Sequence, residues 1–198
     1  MFAYNGDGTT PTLSGSFAGH GVPAAIAFDT NNNDLYVANL IGTSLQAFDS
    51  QGNAVSLSAA SISGPTGIAF DSKNHDLYVS TSSGVFAYTE SGSVDSSVSS
   101  FSSLNAPSGI AYDSNNDTIL VLNRGNATIG VYSPSGGAPV SSFSVVTSPA
   151  AILFDPYMKW IYVANASGIK AYSENGTQQT LSGSWSSLGT PTSLTVVL

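Results

Sequence analysis

A period of 42 residues runs through the chain and restricts its fold more than any other feature. Proline recurs at this step at Pro23, Pro65, Pro107, Pro149 and Pro191. Aspartate recurs at the same step at Asp29, Asp71, Asp113 and Asp155. The N-terminal segment FAYNGDGTTPTLSGSF matches KAYSENGTQQTLSGSW, which lies four periods further on. A fixed period of this length indicates an array in which each repeat is one structural unit.

Within one repeat, short segments alternate apolar and polar residues, as half-buried β-strands do. The segment GIAFD places Ile68 and Phe70 on one face, and DLYVS and VFAYT alternate in the same way. A Ser-rich fourth strand is expected to end near Phe101. Glycine follows an aromatic residue by four positions, where a tight hairpin needs a left-handed residue, at Gly8, Gly52, Gly92, Gly136 and Gly176. Four short antiparallel strands per repeat predict a blade of an all-β propeller.

The repeat divides the chain into four complete blades and a fifth that is shared between the termini. The complete blades are predicted at 23–64, 65–106, 107–148 and 149–190. Residues 1–22 are expected to form strands three and four of the split blade, and 191–198 its first strand. Five repeats would need 210 residues, whereas the chain has 198. We therefore expect a single propeller over 1–198 whose split blade lacks its second strand and leaves an unpaired edge.

Two segments carry a resemblance to known repeat families. LYVAN at 35–39 follows PAAIAFD, and IYVAN at 161–165 follows PAAILFD. These segments resemble the YVTN and NHL repeat families, and the resemblance extends over essentially the whole chain. The third copy, ILVLN at 119–123, lacks the tyrosine. The resemblance implies a β-propeller of the extracellular, surface-layer or protein-binding kind, with a few enzymes among its relatives.

Charge and composition restrict the partners. The net charge is −8 with four Lys and Arg, so nucleic acid and anionic membranes are poor partners. Charged residues make up only 8% of the chain, and Ser, Thr, Asn and Gly take their place at the surface. There is no cysteine, no apolar run long enough for membrane insertion and no signal segment in MFAYNGDG. We expect an extracellular or cell-surface protein whose secretion signal lies outside this chain, and protein partners, which include other copies of itself.

Strand order places the carboxylates on one face of the predicted disc. They fall in two sets of hairpin turns, at Asp29, Asp34, Asp71, Asp76, Asp113, Asp117 and Asp155, and at Asp7, Asp49, Glu90, Asp95 and Glu174. The opposite face holds His20 and Arg124. One interpretation is that these side chains bond their own turn backbone. The other is a calcium site, because oxygen ligands alternate at Asp113, Asn115 and Asp117 and again at Asp29, Asn31 and Asn33. Neither run has the glycine or the downstream glutamate of a calcium loop, and no other cofactor is predicted.

The channel positions offer little chemistry. The residues two after each repeat proline are small and neutral, at Ala25, Gly67, Gly109, Ala151 and Ser193. The two histidines, His20 and His75, fall on opposite faces. Because these positions offer no acid, base or metal ligand, a metal-dependent hydrolase or lyase ranks second, as the alternative to a non-enzymatic module. A carbohydrate-binding lectin ranks third, because no exposed aromatic residue recurs in the loops of the neutral face.

One hairpin departs from the polar pattern of the others. Its tip reads Pro156, Tyr157, Met158, Lys159 and Trp160, where the other copies carry small polar residues. Either Trp160 folds over its neighbours, or Tyr157, Met158, Lys159 and Trp160 form a contact spot, since such residues are enriched at interfaces. Glycosylation sequons stand at Asn116, Asn126, Asn165 and Asn175. The sequence thus predicts a non-enzymatic scaffold, adhesion or protein-binding module, which self-assembles when another chain donates the missing strand.

Overall fold

The computed structural model describes residues 9–13, 15, 17, 21–41, 45–58, 62–181, 191 and 194, which form β-strands and turns. The first sheet contains β1 (Val22–Phe28), β2 (Leu35–Ile41), β3 (Leu45–Phe48) and β4 (Ala54–Val55). The second contains β5 (Pro65–Asp71), β6 (Asp76–Thr81) and β7 (Gly84–Thr89). The third contains β8 (Pro107–Asp113), β9 (Thr118–Asn123), β10 (Thr128–Tyr132) and β11 (Ser141–Ser144). The fourth contains β12 (Ala151–Asp155), β13 (Trp160–Asn165), β14 (Gly168–Ser173) and β15 (Gln178–Gln179). In each sheet the strands pair antiparallel in chain order, and within these ranges no helix could cross a membrane.

The repeat aspartate organises the turn between the first and second strands of each sheet. Asp71 is fully buried, and its Oδ1 accepts hydrogen bonds from the backbone N–H groups of Lys73 (2.9 Å) and Asn74 (3.2 Å). The turn then needs a left-handed residue, and positive φ angles of 56–63° occur at Asn33, His75, Asp117 and Lys159. The predicted bonding of aspartate to its own turn backbone is confirmed.

The second kind of hairpin closes on glycine, as the sequence predicts. Gly52, Gly92, Gly136 and Gly176 have φ angles of 78–84°. At Gly136 a Cβ would lie 1.9 Å from the backbone oxygen of Ser99, so the turn needs glycine both for its conformation and for space. Gly8 lies outside the described residues.

Neighbouring sheets pack face to face and share their cores. Tyr36 and Ala38 of β2 form one buried cluster with Ile68 and Phe70 of β5. The rings of Tyr36 and Phe70 stack with centroids 6.4 Å apart and planes 12° apart. Burial of each such side chain is worth about 2 kcal/mol, so the contacts between sheets hold the array together. Equivalent clusters join the second sheet to the third and the third to the fourth.

In the part of the chain that the structure describes, the second sheet lacks the fourth strand that the sequence predicts. Its predicted Ser-rich fourth strand is reduced, among the described residues, to two isolated bridges, one between Tyr88 and Val94 and one between Ser99 and Gly136 of the third sheet's hairpin. The carboxylate of Asp95 accepts hydrogen bonds from the backbone N–H of Ser97 (2.8 Å) and from its hydroxyl (2.7 Å). These local bonds compete with the ladder for the segment, and the Val98 and Phe101 side chains beyond them pack against the cluster between the second and third sheets.

The first strands of the four sheets surround a channel of about 240 Å³. Small residues line it, as predicted, and they allow close approach: a Cβ on Gly67 would lie 3.1 Å from the Cα of Gly109. Leu194 lines the same channel and stands one period after Ile152. Ser193 lies outside the described residues.

Candidate functional site

Eleven described carboxylates lie in the two sets of hairpin turns, which we call the acidic rim: Asp29, Asp34, Asp49, Asp71, Asp76, Glu90, Asp95, Asp113, Asp117, Asp155 and Glu174. Burial raises the pKa of Asp34, and the negative charges of Asp29, Asp49 and Glu90 raise it further. The two sets of turns therefore meet on one side of the molecule, whereas Arg124 lies in the turn between β9 and β10. Asp7 and His20 lie outside the described residues.

Of the six calcium candidates, the carboxylates of Asp29, Asp113 and Asp117 accept hydrogen bonds from protein donors, while Asp29 Oδ2 is buried without a partner among the described residues. Asp113 Oδ1 accepts from the backbone N–H groups of Asn115 (2.9 Å) and Asn116 (3.1 Å). Asp117 Oδ1 accepts from the Tyr112 hydroxyl (3.0 Å), and its Oδ2 pairs with the Lys73 ammonium. In the other run, Asp29 Oδ1 accepts from the Asn31 N–H (2.7 Å), and Asn33 takes the left-handed turn conformation. Within the described parts of the chain, no cluster of three or more acidic, histidine or cysteine residues could hold a metal ion.

A carboxyl pair that the sequence did not single out lies in the second sheet, at a cavity that also borders the third sheet. Asp76 and Asp95 line a cavity of about 320 Å³ with Asn74, Tyr78 and Pro134. Burial raises the pKa of Asp76 to about 6, and the neighbouring charges of Asp95 and Asp71 contribute. Hydrogen bonds from Ser97 lower the pKa of Asp95. As the pH falls, Asp76 is therefore the member of the pair that takes up a proton first.

The residue two positions after each repeat aspartate, which we call the latch position, links a sheet to the next one in the first three sheets. Asn31 Nδ2 donates to the backbone oxygen of Ser72 (3.2 Å). Asn115 Nδ2 donates in the same way to Pro156 (3.0 Å). Lys73 reaches the next turn through its ion pair with Asp117. In the first three sheets, the latch residue thus bonds to the turn of the following sheet.

In the fourth sheet the latch position is Tyr157, whose side chain is 77% exposed. The structure gives its hydroxyl no hydrogen bond to any described residue. Met158 beside it is also exposed, and Lys159 takes the left-handed turn conformation. Trp160 is half-buried, with its ring 6.2 Å from that of Tyr162. The predicted contact spot is therefore divided: Tyr157, Met158 and Lys159 face solvent, while Trp160 packs on its own sheet.

The first sheet exposes apolar side chains that its counterparts bury. Ile26 and Phe28 are 56% and 53% exposed, whereas Ile68 and Phe70, one period later, are 7% and 9% exposed. We call Ile26 and Phe28 the open face. Further out on the same sheet, Phe17 packs against Phe48 with ring centroids 5.6 Å apart. Among the described residues, five of ten exposed large apolar side chains lie on β1 and β2, at Val22, Ile26, Phe28, Leu40 and Ile41. This difference in exposure could not be predicted from the repeat, because Ile26 and Phe28 are the same residue types as their buried counterparts.

The four sequons differ in accessibility. Asn116, Asn126 and Asn175 are exposed at turns. Asn165 is only 8% exposed, and its Nδ2 donates to the backbone oxygen of Thr147 (3.0 Å). A glycan on Asn165 would break this bond, so the exposed sequons remain the better candidates.

The sheets and their channel define the class of the protein as all-β and β-propeller-like. In shape the chain is similar to a chain in the crystal structure of a nidogen/laminin complex, with a TM-score of 0.67 and 16% identity, over 79% of this chain and 61% of that one. It is also similar to a chain of Kuenenia stuttgartiensis hydrazine synthase, with a TM-score of 0.63 and 16% identity, over 82% of this chain and 49% of that one. The chain thus spans about half to three fifths of those chains, and identities this low establish the fold alone. No protein-family model and no curated protein matches the sequence, so the resemblance to YVTN and NHL repeats stays a prediction.

Proposed function

We propose that this protein is a non-enzymatic, extracellular protein-binding scaffold of the YVTN and NHL repeat type, and that its open face receives a β-strand from another polypeptide. The exposure of Ile26 and Phe28 carries this proposal, because a neighbouring sheet buries five of their six counterparts, and the sixth, Tyr112, is half-buried. Two large apolar side chains side by side lose about 2 kcal/mol each when they stay in water. A partner that covers them gains that free energy.

The position of the open face supports strand donation in particular. The residues that line the channel come from the four sheets and from Leu194, and they recur at steps of 42 residues. This fits a ring of five blades in which the fifth blade has its place between the fourth sheet and the first. Among the 198 residues, the 42-residue repeat assigns none to a turn and second strand at that place. In the existing interfaces the second strand β2 is the one whose Tyr36 covers Phe70. A donated strand at the fifth place would therefore cover Phe28.

Peptide binding tests the proposal. The probe is a fluorescein-labelled, amidated peptide with the sequence of residues 30–40, TNNNDLYVANL, which contains a turn and second strand of the repeat. We expect fluorescence anisotropy to show binding to the chain, and Phe28→Ser to weaken it at least about tenfold, or about 1.4 kcal/mol. Phe86→Ser is the matched control, since Phe86 is a similarly exposed phenylalanine on β7. Absence of binding, or equal losses in the two variants, would refute strand donation at this face.

Light scattering separates self-assembly from capture of a different protein. If copies of the chain donate strands to each other, the mass rises above 20.2 kDa as concentration increases over about a hundredfold. Phe28→Ser should then restore the monomer. A constant monomer mass together with peptide binding would identify the partner as a different polypeptide.

A further inference from the structure

We infer that the open face and Tyr157 are two parts of one docking site, which selects an extended segment with an aromatic residue followed two positions later by a small apolar one. The inference rests on the proposed function and adds the side-chain pattern of the incoming strand and the residue that receives its turn. Both features are taken from the contacts between sheets that already exist in the molecule.

The aromatic preference follows from the contact between β2 and β5. Phe70 is buried by Tyr36, whose ring lies parallel to it at 6.4 Å, and Ala38 is fully buried in the same cluster. Phe28 has the register position of Phe70 on the first sheet and pairs with Leu35 as Phe70 pairs with Leu77. An offset-stacked aromatic pair gains about 0.5–1.5 kcal/mol beyond its buried area. The side chain that best fits Phe28 is therefore a second aromatic ring.

The role of Tyr157 follows from the latch position. In the other sheets this position donates a hydrogen bond or a charge to the turn that precedes the second strand of the next sheet. A tyrosine hydroxyl is also a donor, and that of Tyr157 is exposed at the edge of the fourth sheet. When a segment occupies the next place, its turn lies within reach of Tyr157. The hydroxyl then donates to a backbone oxygen of that turn, and Met158 covers its apolar atoms.

The negative charge of the acidic rim restricts which residues the turn of the incoming segment can carry. Asp29 and Asp34 follow Phe28 at the rim, and burial, together with the negative charges around it, raises the pKa of Asp34. An incoming turn with several carboxylates would be repelled there, whereas one with Asn, Ser or Lys would not. The ion pair between Lys73 and Asp117 is an example of a favourable contact between the turns of neighbouring sheets.

The test uses the peptide TNNNDLYVANL and its Tyr36→Ser and Tyr36→Leu variants on the wild-type chain, Phe28→Ser and Tyr157→Phe. We expect Tyr36→Ser to weaken binding to the wild-type chain about tenfold and binding to Phe28→Ser less than twofold, because the two rings act as a pair. Tyr157→Phe should weaken binding of the parent peptide about threefold through loss of one hydrogen bond.

The outcomes separate this inference from the proposed function. If the parent peptide binds through Phe28 but the Tyr36→Leu peptide binds equally tightly, the aromatic preference is wrong and strand donation stands. If Tyr157→Phe binds like the wild-type chain, Tyr157 has no part in the site. If the parent peptide fails to bind at up to about 1 mM, both the inference and the proposed function are refuted.

Discussion

At the scale of single residues, one backbone position shows how the repeat tolerates different side chains. The left-handed residue of the first turn is Asn33, His75, Asp117 or Lys159 in the four sheets. Asn and Asp adopt this conformation with little strain, whereas a lysine has no local hydrogen bond that compensates it. The conformation is imposed by the hairpin and not by the residue.

Replacement of Lys159 by glycine should therefore stabilise the protein. We expect a gain of about 1 kcal/mol in the free energy of unfolding, because glycine adopts positive φ without strain. Lys170→Gly in β14 is the control and should lose stability, since glycine weakens a strand. Urea unfolding measures both variants. A loss of stability in Lys159→Gly would show that the turn is not strained.

Asp76 should make stability depend on pH. Its pKa of about 6 lies above the ordinary value of 3.8, so the fold favours the protonated carboxyl. The resulting penalty is absent below about pH 4, grows as the pH rises towards 6 and is constant above it. Asp76→Asn should thus match the wild-type chain at low pH and be more stable at neutral pH by about 1 kcal/mol, a value reduced by solvent in the cavity.

Asp49→Asn is the control for Asp76→Asn, because the pKa of Asp49 is shifted in the opposite direction. Hydrogen bonds from Asn53 lower the pKa of Asp49, so its contribution is present above the ordinary pKa and is lost as the pH falls. Asp49→Asn should therefore lose stability at neutral pH. Urea titrations at low and neutral pH check both signs, and a pH-independent effect of Asp76→Asn would contradict the assignment of the raised pKa to Asp76.

At the scale of elements, the unit of the structure is a hairpin closed by a buried aspartate. Asp113 accepts two backbone N–H groups through Oδ1 and the side-chain amide of Asn116 through Oδ2 (3.0 Å). The same arrangement recurs at Asp71. These bonds satisfy buried polar groups of a tight turn, which explains the repetition of aspartate without a metal ion.

Substitution of Asp113 distinguishes the turn cap from a calcium ligand. Asp113→Ala should cost about 2–3 kcal/mol, because several buried donors lose their acceptor. Asp113→Asn should cost less, since the amide oxygen still accepts the two N–H groups. If Asp113 is a cap, thermal unfolding of the wild-type chain should be unchanged by calcium or by a chelator. A rise in the melting temperature with calcium, lost in Asp113→Asn, would favour the metal interpretation.

At the scale of the whole molecule, the repeats are equivalent in sequence and unequal in environment. Phe28 and Phe70 occupy the same place in their sheets, yet Phe70 is covered by Tyr36 and Phe28 is exposed. Tyr157 likewise shares the latch position with residues that bind the next sheet. Both differences fall on the two sides of the proposed fifth place.

Alanine substitution at the two phenylalanines tests this asymmetry. Phe70→Ala should lower the free energy of unfolding by about 3–5 kcal/mol, as expected for a buried aromatic residue. Phe28→Ala should stay within about 1 kcal/mol of the wild-type chain, because little of its contact area is buried. Urea unfolding compares the variants at one protein concentration. Equal losses would mean that Phe28 is covered in the 198-residue chain, and the open face would not exist.

The periodic features of this protein could be predicted from the amino-acid sequence alone. Alternation of apolar residues, the aspartate turns, the glycine hairpins and the small channel residues are local or repeat with a fixed step, so Ile68, Gly136 or Asp113 could be placed from the pattern. Carboxylates on one side followed from strand order. The Ser-rich segment near Phe101 was misjudged, because the bonding of Asp95 to Ser97 competes with a weak ladder.

The different surroundings of equivalent residues depend on contacts between sheets, which the repeat does not show. Exposure of Phe28 depends on whether a neighbouring sheet brings a second-strand aromatic ring to it, and the partners of Asn31, Lys73 and Asn115 lie about one period away in the next sheet. The Asp76 and Asp95 pair likewise arises between two turns of one sheet. Burial and the coupling of charges depend on which surfaces are in contact. A repeat that is uniform along the chain does not show which sheet lacks a neighbour.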